Sequence, residues 1–310
     1  MSMQIGMNTF HLGQSFGLND EGRLKKEGFI KSVMFLKETG VRLIELLLDT
    51  MPLRPSLFDL ETKVALLNLK EKEGISYSAH LPFRYVDISS INEEVRRLSV
   101  KCMQESVRFC ERLDIRTYVL HLTGSVARAM ISSRYLSKQR IKDALLNEMM
   151  SNAAKSLSEI LEIVPSDKVC IENLPNMPFK YYYQVVEKLN TSICFDVGHL
   201  IPGGEDPLRF FDRYHERIKE IHLHDVTRTR DQNGCVRLLD HQALGTGILD
   251  VEQFVSYLEQ RKFRGYLILE FMNEKKALES WKTLVDKNLR CTQYQLAKNT
   301  QTRPDNQHEG

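Results

Sequence analysis

The sequence predicts an α/β fold, a (β/α)8 TIM barrel, from three observations. Eight short β-rich runs alternate with longer amphipathic stretches along the 310 residues. Most runs are almost continuously apolar, as in Tyr-Val-Leu-His-Leu at 118–122, which is typical of parallel strands covered on both faces. The longest irregular stretches, about 81–91, 123–137 and 225–249, each follow a run, where the catalytic loops of a barrel lie. A doubly wound open sheet is the alternative.

The elements follow the chain in regular alternation, and no linker divides it. The predicted strands are Met3–Thr9, Arg42–Leu48, Ile75–His80, Arg116–Leu122, Lys168–Asn173, Thr191–Val197, Ile218–His224 and Gly265–Phe271. The predicted helices are 25–40, 57–73, 92–114, 138–163, about 178–189, 206–217, 250–262 and 273–290. We therefore expect one domain over residues 1–290. The polar, aperiodic segment 291–310 is expected to be a disordered C-terminal tail.

Composition is that of a globular protein and excludes several classes of function. Hydrophobic residues make up 42% and charged residues 27%, with a formal net charge of +2. This balance argues against holding nucleic acid by charge alone, although a local basic groove stays open. No apolar run approaches the roughly 18 residues that span a bilayer, so we expect no membrane association and a cytoplasmic location. The six cysteines form no Cys-x-x-Cys pair, so no disulfide framework is expected.

Ionisable and amide side chains recur where the predicted strands end. They are Asn8, Glu45, His80, His121, Glu172, Asn173, Asp196, His199, His222, His224 and Glu270. Burial of such groups is costly unless they are paired or bound to a metal. Imidazoles alternating with carboxylates at one end of consecutive strands predict a divalent transition metal site, for zinc, manganese or iron.

The loop after the seventh strand extends this ring. It carries Asp240 and His241, followed by Gly245 and Gly247, which let the backbone approach the site closely. His224 lies two residues after His222, so it faces the same side of the strand and could support a ligand instead of being one. A satisfied core histidine, for any single member, and a solvated loop pair, for Asp240 and His241, are the ordinary alternatives.

Taken together, these motifs resemble the xylose-isomerase-like barrel superfamily, which includes the endonuclease IV family and many sugar isomerases and epimerases. The resemblance runs from about Met3 to Trp281. It rests on His80, His121, Glu172, Asp196-Val-Gly-His199, His222-Leu-His-Asp225, His241-x-x-Leu-Gly-x-Gly247 and Glu270.

The resemblance implies two kinds of metal centre. In the epimerases one metal would be held by Glu172, Asp196, His222 and Glu270; two of the carboxylates move a proton beside the substrate carbonyl, and Arg228 would contact the substrate. Endonuclease-type members use further histidines for two or three ions, and His80, His121, His199 and His241 match those positions. Those members have Asp-x-His in the last loop, whereas Asp240 directly precedes His241 here, which weakens the case for a third ion.

A closer resemblance is to the cobamide-remodelling phosphodiesterases of the same superfamily. It rests on Tyr-Ser-Ala-His80-Leu-Pro, Tyr-Val-Leu-His121-Leu-x-Gly124, Cys-Ile-Glu172-Asn, Cys-Phe-Asp196-Val-Gly-His199-Leu, Ile-His222-Leu-His224 and Asp240-His241. These enzymes cleave the nucleotide loop of a corrinoid so that its lower base can be exchanged. Tyr181 to Tyr183 and the long loops could provide a platform for so broad a substrate.

We therefore predict a metal-dependent phosphodiesterase with two divalent ions, or three in the alternative. Carbonyl isomerisation needs no ligands opposite Glu172, whereas hydrolysis benefits from a second ion. The predicted catalytic residues are Glu172, Glu270 and Arg228; the metal ligands are His80, His121, Glu172, Asp196, His199, His222, His241 and Glu270; and the supporting or substrate-contacting residues are His224, Asp225, Asp240, Glu45 and Asn8.

Three other functions stay open. The first is a sugar or keto-acid isomerase or epimerase, the second an AP-endonuclease-type DNA repair enzyme, and the third a barrel that binds a metal without chemistry. The expected partner is a small-molecule or corrinoid substrate, without nucleic acid or membrane. The sequence leaves metal identity and oligomeric state open.

Overall fold

A computed structural model of the protein describes residues 3–9, 28–124, 129, 138–175, 177–232 and 234–286. The predicted tail at 291–310, most of the predicted loop at 123–137 and the ends of the predicted helices 25–40 and 273–290 lie outside these residues. Within the described residues, no helix is both long and apolar enough to cross a bilayer.

Eight parallel strands close into a barrel, which confirms the predicted fold class. The barrel strands are β1 (Gln4–Asn8), β2 (Leu43–Leu47), β3 (Ser76–His80), β4 (Tyr118–Leu120), β5 (Val169–Glu172), β6 (Ser192–Asp196), β7 (Ile218–Leu223) and β10 (Tyr266–Leu269). Two further strands, β8 (Asp225–Arg230) and β9 (Val236–Gln242), lie between β7 and β10 in the sequence. The order around the barrel is β1-β10-β7-β6-β5-β4-β3-β2, and β8 and β9 form a separate two-stranded sheet. Each barrel strand falls inside a predicted run.

The helices are α1 (Gly28–Glu38), α2 (Leu60–Glu73), α3 (Glu93–Phe109), α4 (Gln139–Ile160), α5 (Phe179–Leu189), α6 (Val197–Leu200), α7 (Pro207–Tyr214), α8 (Val251–Gln260) and α9 (Glu274–Asp286). All except the short α6 lie within predicted helical stretches. Local capping chemistry sets their ends, as α2 illustrates. The Asp59 side chain accepts a hydrogen bond from the Thr62 N–H at 2.9 Å where α2 begins, and Gly74, with φ of 67°, ends the helix.

Small side chains occupy part of the barrel interior, where bulky aliphatic residues are usual. A small apolar cluster of Val119, Cys170 and Cys194 is separate from the main core between strands and helices. Cys170 lies two residues before Glu172, so both point to the same side of β5. The ring of ionisable groups therefore stands directly above this cluster.

The stretch 225–249, predicted to be irregular, contains the antiparallel hairpin of β8 and β9. Exposure alternates along β8, which is what a half-buried strand requires. The alternation spans only a few residues, many of them charged, and so gives a weak sequence signal. The hairpin lies at the carboxyl end of β7 and brings His241 back toward the ring.

Candidate metal centre

Histidines and carboxylates converge at the carboxyl ends of the barrel strands. In each of four groups, one nitrogen or oxygen atom per residue lies within 4.8 Å of the others. The groups are Glu172, Asp196, His222 and Glu270; His80, His121 and Glu172; His199, His224 and His241; and Glu45, Glu220 and His222. The structure thus brings together every residue that the sequence predicted as a metal ligand.

The first group takes one residue from each of four strands that are consecutive in the barrel. Glu172 ends β5, Asp196 ends β6, His222 lies on β7 and Glu270 follows β10. All four side chains are buried. We call this group the four-ligand centre. Three carboxylates and one imidazole form a donor set that suits a divalent transition metal.

His222 turns one ring nitrogen toward this centre and the other toward the barrel interior. Its Nε2 donates a hydrogen bond to Oε2 of Glu45 at 3.2 Å. Its Nδ1 lies 3.1 Å from Oε2 of Glu270, yet within the described residues neither of these buried atoms has a hydrogen-bond partner. A proton between them would need a nearly linear N–H···O angle, whereas a metal ion needs only two lone pairs directed at it. Burial acts to lower the pKa of His222, but Cys194, Glu45 and Glu270 raise it well above its usual range. A metal ion bound by this pair would therefore take the place of a proton.

Electrostatics keep Glu270 anionic, as a metal ligand must be. Burial acts to raise the pKa of its carboxyl, but in the metal-free protein the protonated rings of His222 and His241 lower that pKa well below its usual range. The same balance applies to Glu172, where His121 is the largest of the influences that lower the pKa against burial. Both carboxylates can therefore serve as charged ligands.

His80 and His121 approach a single oxygen of Glu172. Nε2 of His121 lies 2.8 Å and Nε2 of His80 3.1 Å from Oε2, and both contacts have hydrogen-bond geometry. Nδ1 of His80 lies 2.9 Å from the Leu81 carbonyl, to which it can only donate. Burial lowers the pKa of His80, but the hydrogen bond and charge of Glu172 raise it to about 9. Protons can therefore satisfy both contacts of His80 in the metal-free protein.

His224 supports Asp196, in keeping with its sequence-predicted position as a partner and not a ligand. Its Nδ1 accepts the backbone N–H of His241 at 2.9 Å, so its proton lies on Nε2, which is 3.1 Å from Oδ1 of Asp196. Both nitrogens are engaged, which leaves none for a metal. The ring also packs on Gly198, where an added Cβ would lie 1.9 Å from Cε1 of His224. The Asp-Val-Gly-His motif therefore needs its glycine.

His241 connects the centre to the hairpin. Its ring stacks on His224 with centroids 4.1 Å apart, and its φ of 51° is unusual for a residue with a side chain. Nε2 lies 3.6 Å from Oε2 of Glu270, and Nδ1 lies 3.2 Å from Oδ1 of Asp240. The close contact with the His241 ring lowers the pKa of Asp240 to about 2. Asp240 is 42% exposed, so this chain of contacts runs from Glu270 to solvent.

Two buried asparagines fix the backbone at the ligands. Oδ1 of Asn173 accepts the N–H of Asp196, and Nδ2 donates to the carbonyl of the same residue, both at 2.8 Å. Asn8 makes the equivalent pair with Phe271, which follows Glu270, at 3.0 and 3.3 Å. Asn8 therefore holds the strand end instead of facing a substrate.

Asp225, predicted as a supporting or substrate-contacting residue, anchors the loop that follows the hairpin. Its buried carboxylate accepts four backbone N–H groups, those of Val226, Gly245, Gly247 and Leu249, at 2.7 to 3.1 Å. A Cβ on Gly247 would lie 2.3 Å from Oδ1 of Asp225, so the glycine is required for this approach.

Arg228, predicted to be catalytic, is exposed on β8. In the described part of the chain its side chain makes no hydrogen bond or ion pair with any residue of the ring. The structure therefore does not bring Arg228 into contact with the four-ligand centre.

Glu220 is a buried residue of the site that the sequence prediction missed. It accepts a hydrogen bond from Thr117, and its Oε1 lies 3.6 Å from Nε2 of His222. Burial is the largest influence on the pKa of Glu220, which rises to about 8 with a further contribution from Glu45 and against the opposing effect of His222. Glu220 lies two residues before His222 and so shares its side of β7, which is a signal that the sequence did contain.

Comparisons with known proteins agree with this architecture. The chain is 26% identical over 227 residues to the uncharacterized protein MJ1311 of Methanocaldococcus jannaschii, covering 69% of this chain and 71% of that protein. It is 34% identical over 91 residues to an inosose dehydratase of Lacticaseibacillus casei, covering 26% of this chain and 30% of that protein. A crystal structure of a D-tagatose 3-epimerase-like protein superposes with a TM-score of 0.69 at 19% identity, covering 97% of this chain and all of that one. Residues 33–294 match the family described as xylose isomerase-like TIM barrel, and the chain belongs to that family.

Proposed function

We propose that the protein is a metal-dependent isomerase or epimerase that moves a proton on the carbon beside a carbonyl of a small polyhydroxylated substrate. The observation that carries this proposal is the contrast within the ring. His222 and Glu270 face each other without a hydrogen bond, whereas His80 and His121 hydrogen-bond to Glu172. We therefore assign one metal ion to the four-ligand centre, and protons in the place of a second ion at His80 and His121.

The four-ligand centre suits this chemistry. A divalent ion held by Glu172, Asp196, His222 and Glu270 would polarise a carbonyl and stabilise the negative charge that develops when the neighbouring C–H is broken. Glu172 and Glu270 stand at the two ends of the arc of four strands, so they offer carboxylate oxygens from different sides. We assign to Glu270 the exchange of protons with solvent, since His241 and the exposed Asp240 continue outward from it.

The names of similar proteins support the same chemistry. Epimerisation and dehydration next to a carbonyl both begin with removal of a proton from the adjacent carbon. The D-tagatose 3-epimerase-like structure and the inosose dehydratase are named for reactions of these two kinds. We infer that a polyhydroxylated ketone is the substrate class of this chain.

Hydrolysis of a phosphodiester is the second candidate, and one observation favours it. His80, His121 and Glu172 form a separate group of possible ligands that shares Glu172 with the four-ligand centre. Two ions bridged by Glu172 would activate a water and stabilise a leaving oxygen. A corrinoid is one specific phosphodiester substrate within this candidate function. Tyr182, which was expected to line the platform for a corrinoid, is fully buried and hydrogen-bonded to Thr123. The DNA-repair alternative gains nothing from a net charge of +2.

Metal analysis combined with substrate assays tests the proposal. Purified protein loaded with manganese, zinc or iron should bind one ion per chain and interconvert members of a ketose panel. The same preparations are incubated with bis(p-nitrophenyl) phosphate, a complete cobamide and abasic-site DNA. Two ions per chain and cleavage of a phosphodiester, without ketose interconversion, would give the function to the second candidate. Chelator-insensitive activity of either kind would remove the metal from the mechanism.

A further inference from the structure

A cavity of about 520 Å³ lies at the end of the barrel opposite the four-ligand centre. Its lining comes from residues that precede or begin β4, β5, β7 and β10. We call it the basic cavity, because six of its lining side chains are cations: Arg116, Lys168, Lys219, Arg261, Lys262 and Arg264. Among the described lining residues, Asp167 is the one carboxylate. A protein with a net charge of +2 thus concentrates positive charge in one place.

Nearby carboxylates neutralise only part of this charge. The ion pairs are Lys219–Asp167, Arg261–Asp212, Lys168–Asp114 and Arg116–Asp114, at 3.1, 2.7, 3.8 and 3.9 Å. Lys262 and Arg264 are exposed, and in the described part of the chain their side chains make no ion pair and no hydrogen bond. These two cations are therefore available to a ligand.

The turn that carries Lys262 and Arg264 has a constrained backbone. Lys262 has a φ of 56°, in the left-handed region that follows a helix end. A Cβ on Gly265 would lie 2.3 Å from both the Lys219 carbonyl oxygen and the Phe263 ring, so only glycine allows this close approach. The backbone of the turn is therefore fixed before a ligand binds, and it places Lys262 and Arg264 at one edge of the cavity.

The same turn supplies an apolar wall. Phe263 is partly exposed, and its ring packs edge-on against Phe211 with centroids 5.8 Å apart. Tyr266, also partly exposed, lies in the lining. The cavity thus combines unpaired cations with aromatic surface, and its volume falls within the roughly 300–1,000 Å³ typical of small-molecule sites.

We propose that the basic cavity binds a small organic phosphate monoester. Lys262 and Arg264 bind the phosphate, because its oxygens accept charge-assisted hydrogen bonds that no other described residue accepts from these two side chains. The organic part lies against Phe263 and Tyr266. A nucleic acid would need cations spread along a stripe or groove, whereas these surround one cavity. Residues 267–269 of β10 lie between Tyr266 in the cavity lining and Glu270, so this site is distinct from the four-ligand centre.

Calorimetric titration tests the proposal, with adenosine 5′-monophosphate and inorganic phosphate as probes of the full-length protein. The wild type should bind the nucleotide saturably, with one per chain. The variant K262E/R264E should bind it at least about tenfold more weakly, because two charge-assisted contacts become repulsive. The matched control is K101E/R209E, which reverses two cations that lie elsewhere and are 70% and 89% exposed. This control should bind within about twofold of the wild type.

Two further arms keep the result decisive. Titration is repeated after chelation, because phosphate bound to a metal ion at the four-ligand centre would be lost with the metal, whereas the basic cavity should be unaffected. If K262E/R264E does not fold, as judged by circular dichroism, K262Q/R264Q takes its place. Absence of saturable binding to the wild type, equal weakening in the control pair, or binding that disappears on chelation would overturn the proposal.

Discussion

The ring of ionisable residues contains two histidine–glutamate contacts of equal length that differ in their hydrogen bonding. In one half, Nε2 of His80 lies 3.1 Å from an oxygen of Glu172, and in the other, Nδ1 of His222 lies 3.1 Å from an oxygen of Glu270. The first contact is a hydrogen bond, but the second leaves both buried atoms without a hydrogen-bond partner among the described residues. The distance alone therefore does not separate the two contacts, whereas their hydrogen-bond geometry does.

A third carboxylate extends the comparison. Asp225 is as deeply buried as Glu270, but its two oxygens accept four backbone N–H groups. A carboxylate saturated by the backbone stabilises a loop, while one left unsaturated among imidazoles is available to a cation. Substitutions in the two kinds of position should therefore fail in different ways.

The largest effect is expected for E270Q. A neutral amide cannot replace an anionic ligand, so metal affinity should fall by more than about 100-fold and turnover should disappear. The metal-free protein should stay folded with a modest loss of stability, since the amide removes a carboxylate charge that His222 and His241 stabilise. Metal content after dialysis and the melting temperature of the metal-free protein measure the two halves of this expectation. Full turnover by E270Q would show that Glu270 is structural.

D225N should give the reverse pattern. The amide NH2 would face a backbone N–H that it cannot accept from, so the free energy of unfolding should fall by about 2–4 kcal/mol. Protein that remains folded should bind metal with nearly wild-type affinity, because Asp225 contacts no residue of the four-ligand centre. Urea unfolding and metal titration report these quantities separately. Loss of metal without loss of stability would instead place Asp225 in the centre.

The difference between these residues also marks how far the sequence could predict the site. Strand periodicity is local, so the eight strands and most helices could be predicted. The ring could be predicted because parallel strands place their carboxyl ends together. The state of each carboxylate depends on partners far along the chain: Glu45 and His222 are 177 residues apart, and Asn8 and Phe271 are 263 apart. No pattern in one sequence gives that register.

Motif spacing had a similar limit. The positions of Asp225 and Arg228 shortly after His222 in the sequence predict that both lie near the metal centre. The chain, however, turns after β7 into the hairpin of β8 and β9. Asp225 consequently points at the backbone of the following loop, and Arg228 is exposed. Spacing predicts which residues are near the strand end, whereas the direction of the chain after it decides their contacts.

A moderate effect is expected for E45Q. Glu45 accepts the Nε2 proton of His222 and so orients Nδ1 toward the four-ligand centre. A carboxylate behind a ligating histidine makes it a stronger ligand, so metal affinity should fall by about 10- to 100-fold. E220Q is the matched control, because the pKa of about 8 for Glu220 means that its carboxyl is already neutral at pH 7 and an amide resembles it. Equal losses in both variants, measured by competition with a chelator, would contradict this assignment.

A smaller effect on metal binding is expected for H80N. If protons satisfy the Glu172 half of the ring, the variant should still bind one ion per chain, with affinity within about tenfold of the wild type. A fall in stoichiometry from two ions to one would show that His80 binds a second ion, and would favour the hydrolytic candidate. Cobalt substitution adds a spectroscopic check, since the absorption of an ion at the four-ligand centre should not change in H80N.

The smallest effect concerns the metal-free protein and pH. The pKa of His80 is raised from 6.5 to about 9 in the folded state, with Glu172 outweighing burial. A raised folded-state pKa means that the protonated form stabilises the fold; this contribution is complete below pH 6.5 and is lost as pH rises through about 9. The melting temperature of the wild type should therefore fall more steeply than that of H80N over this interval. His199 and His241, whose pKa values are raised to about 9 and 10, titrate in both proteins, so the difference between the two slopes isolates His80. Parallel slopes would mean that His80 is neutral in the folded protein, and a cation other than a proton would then be needed between His80 and Glu172.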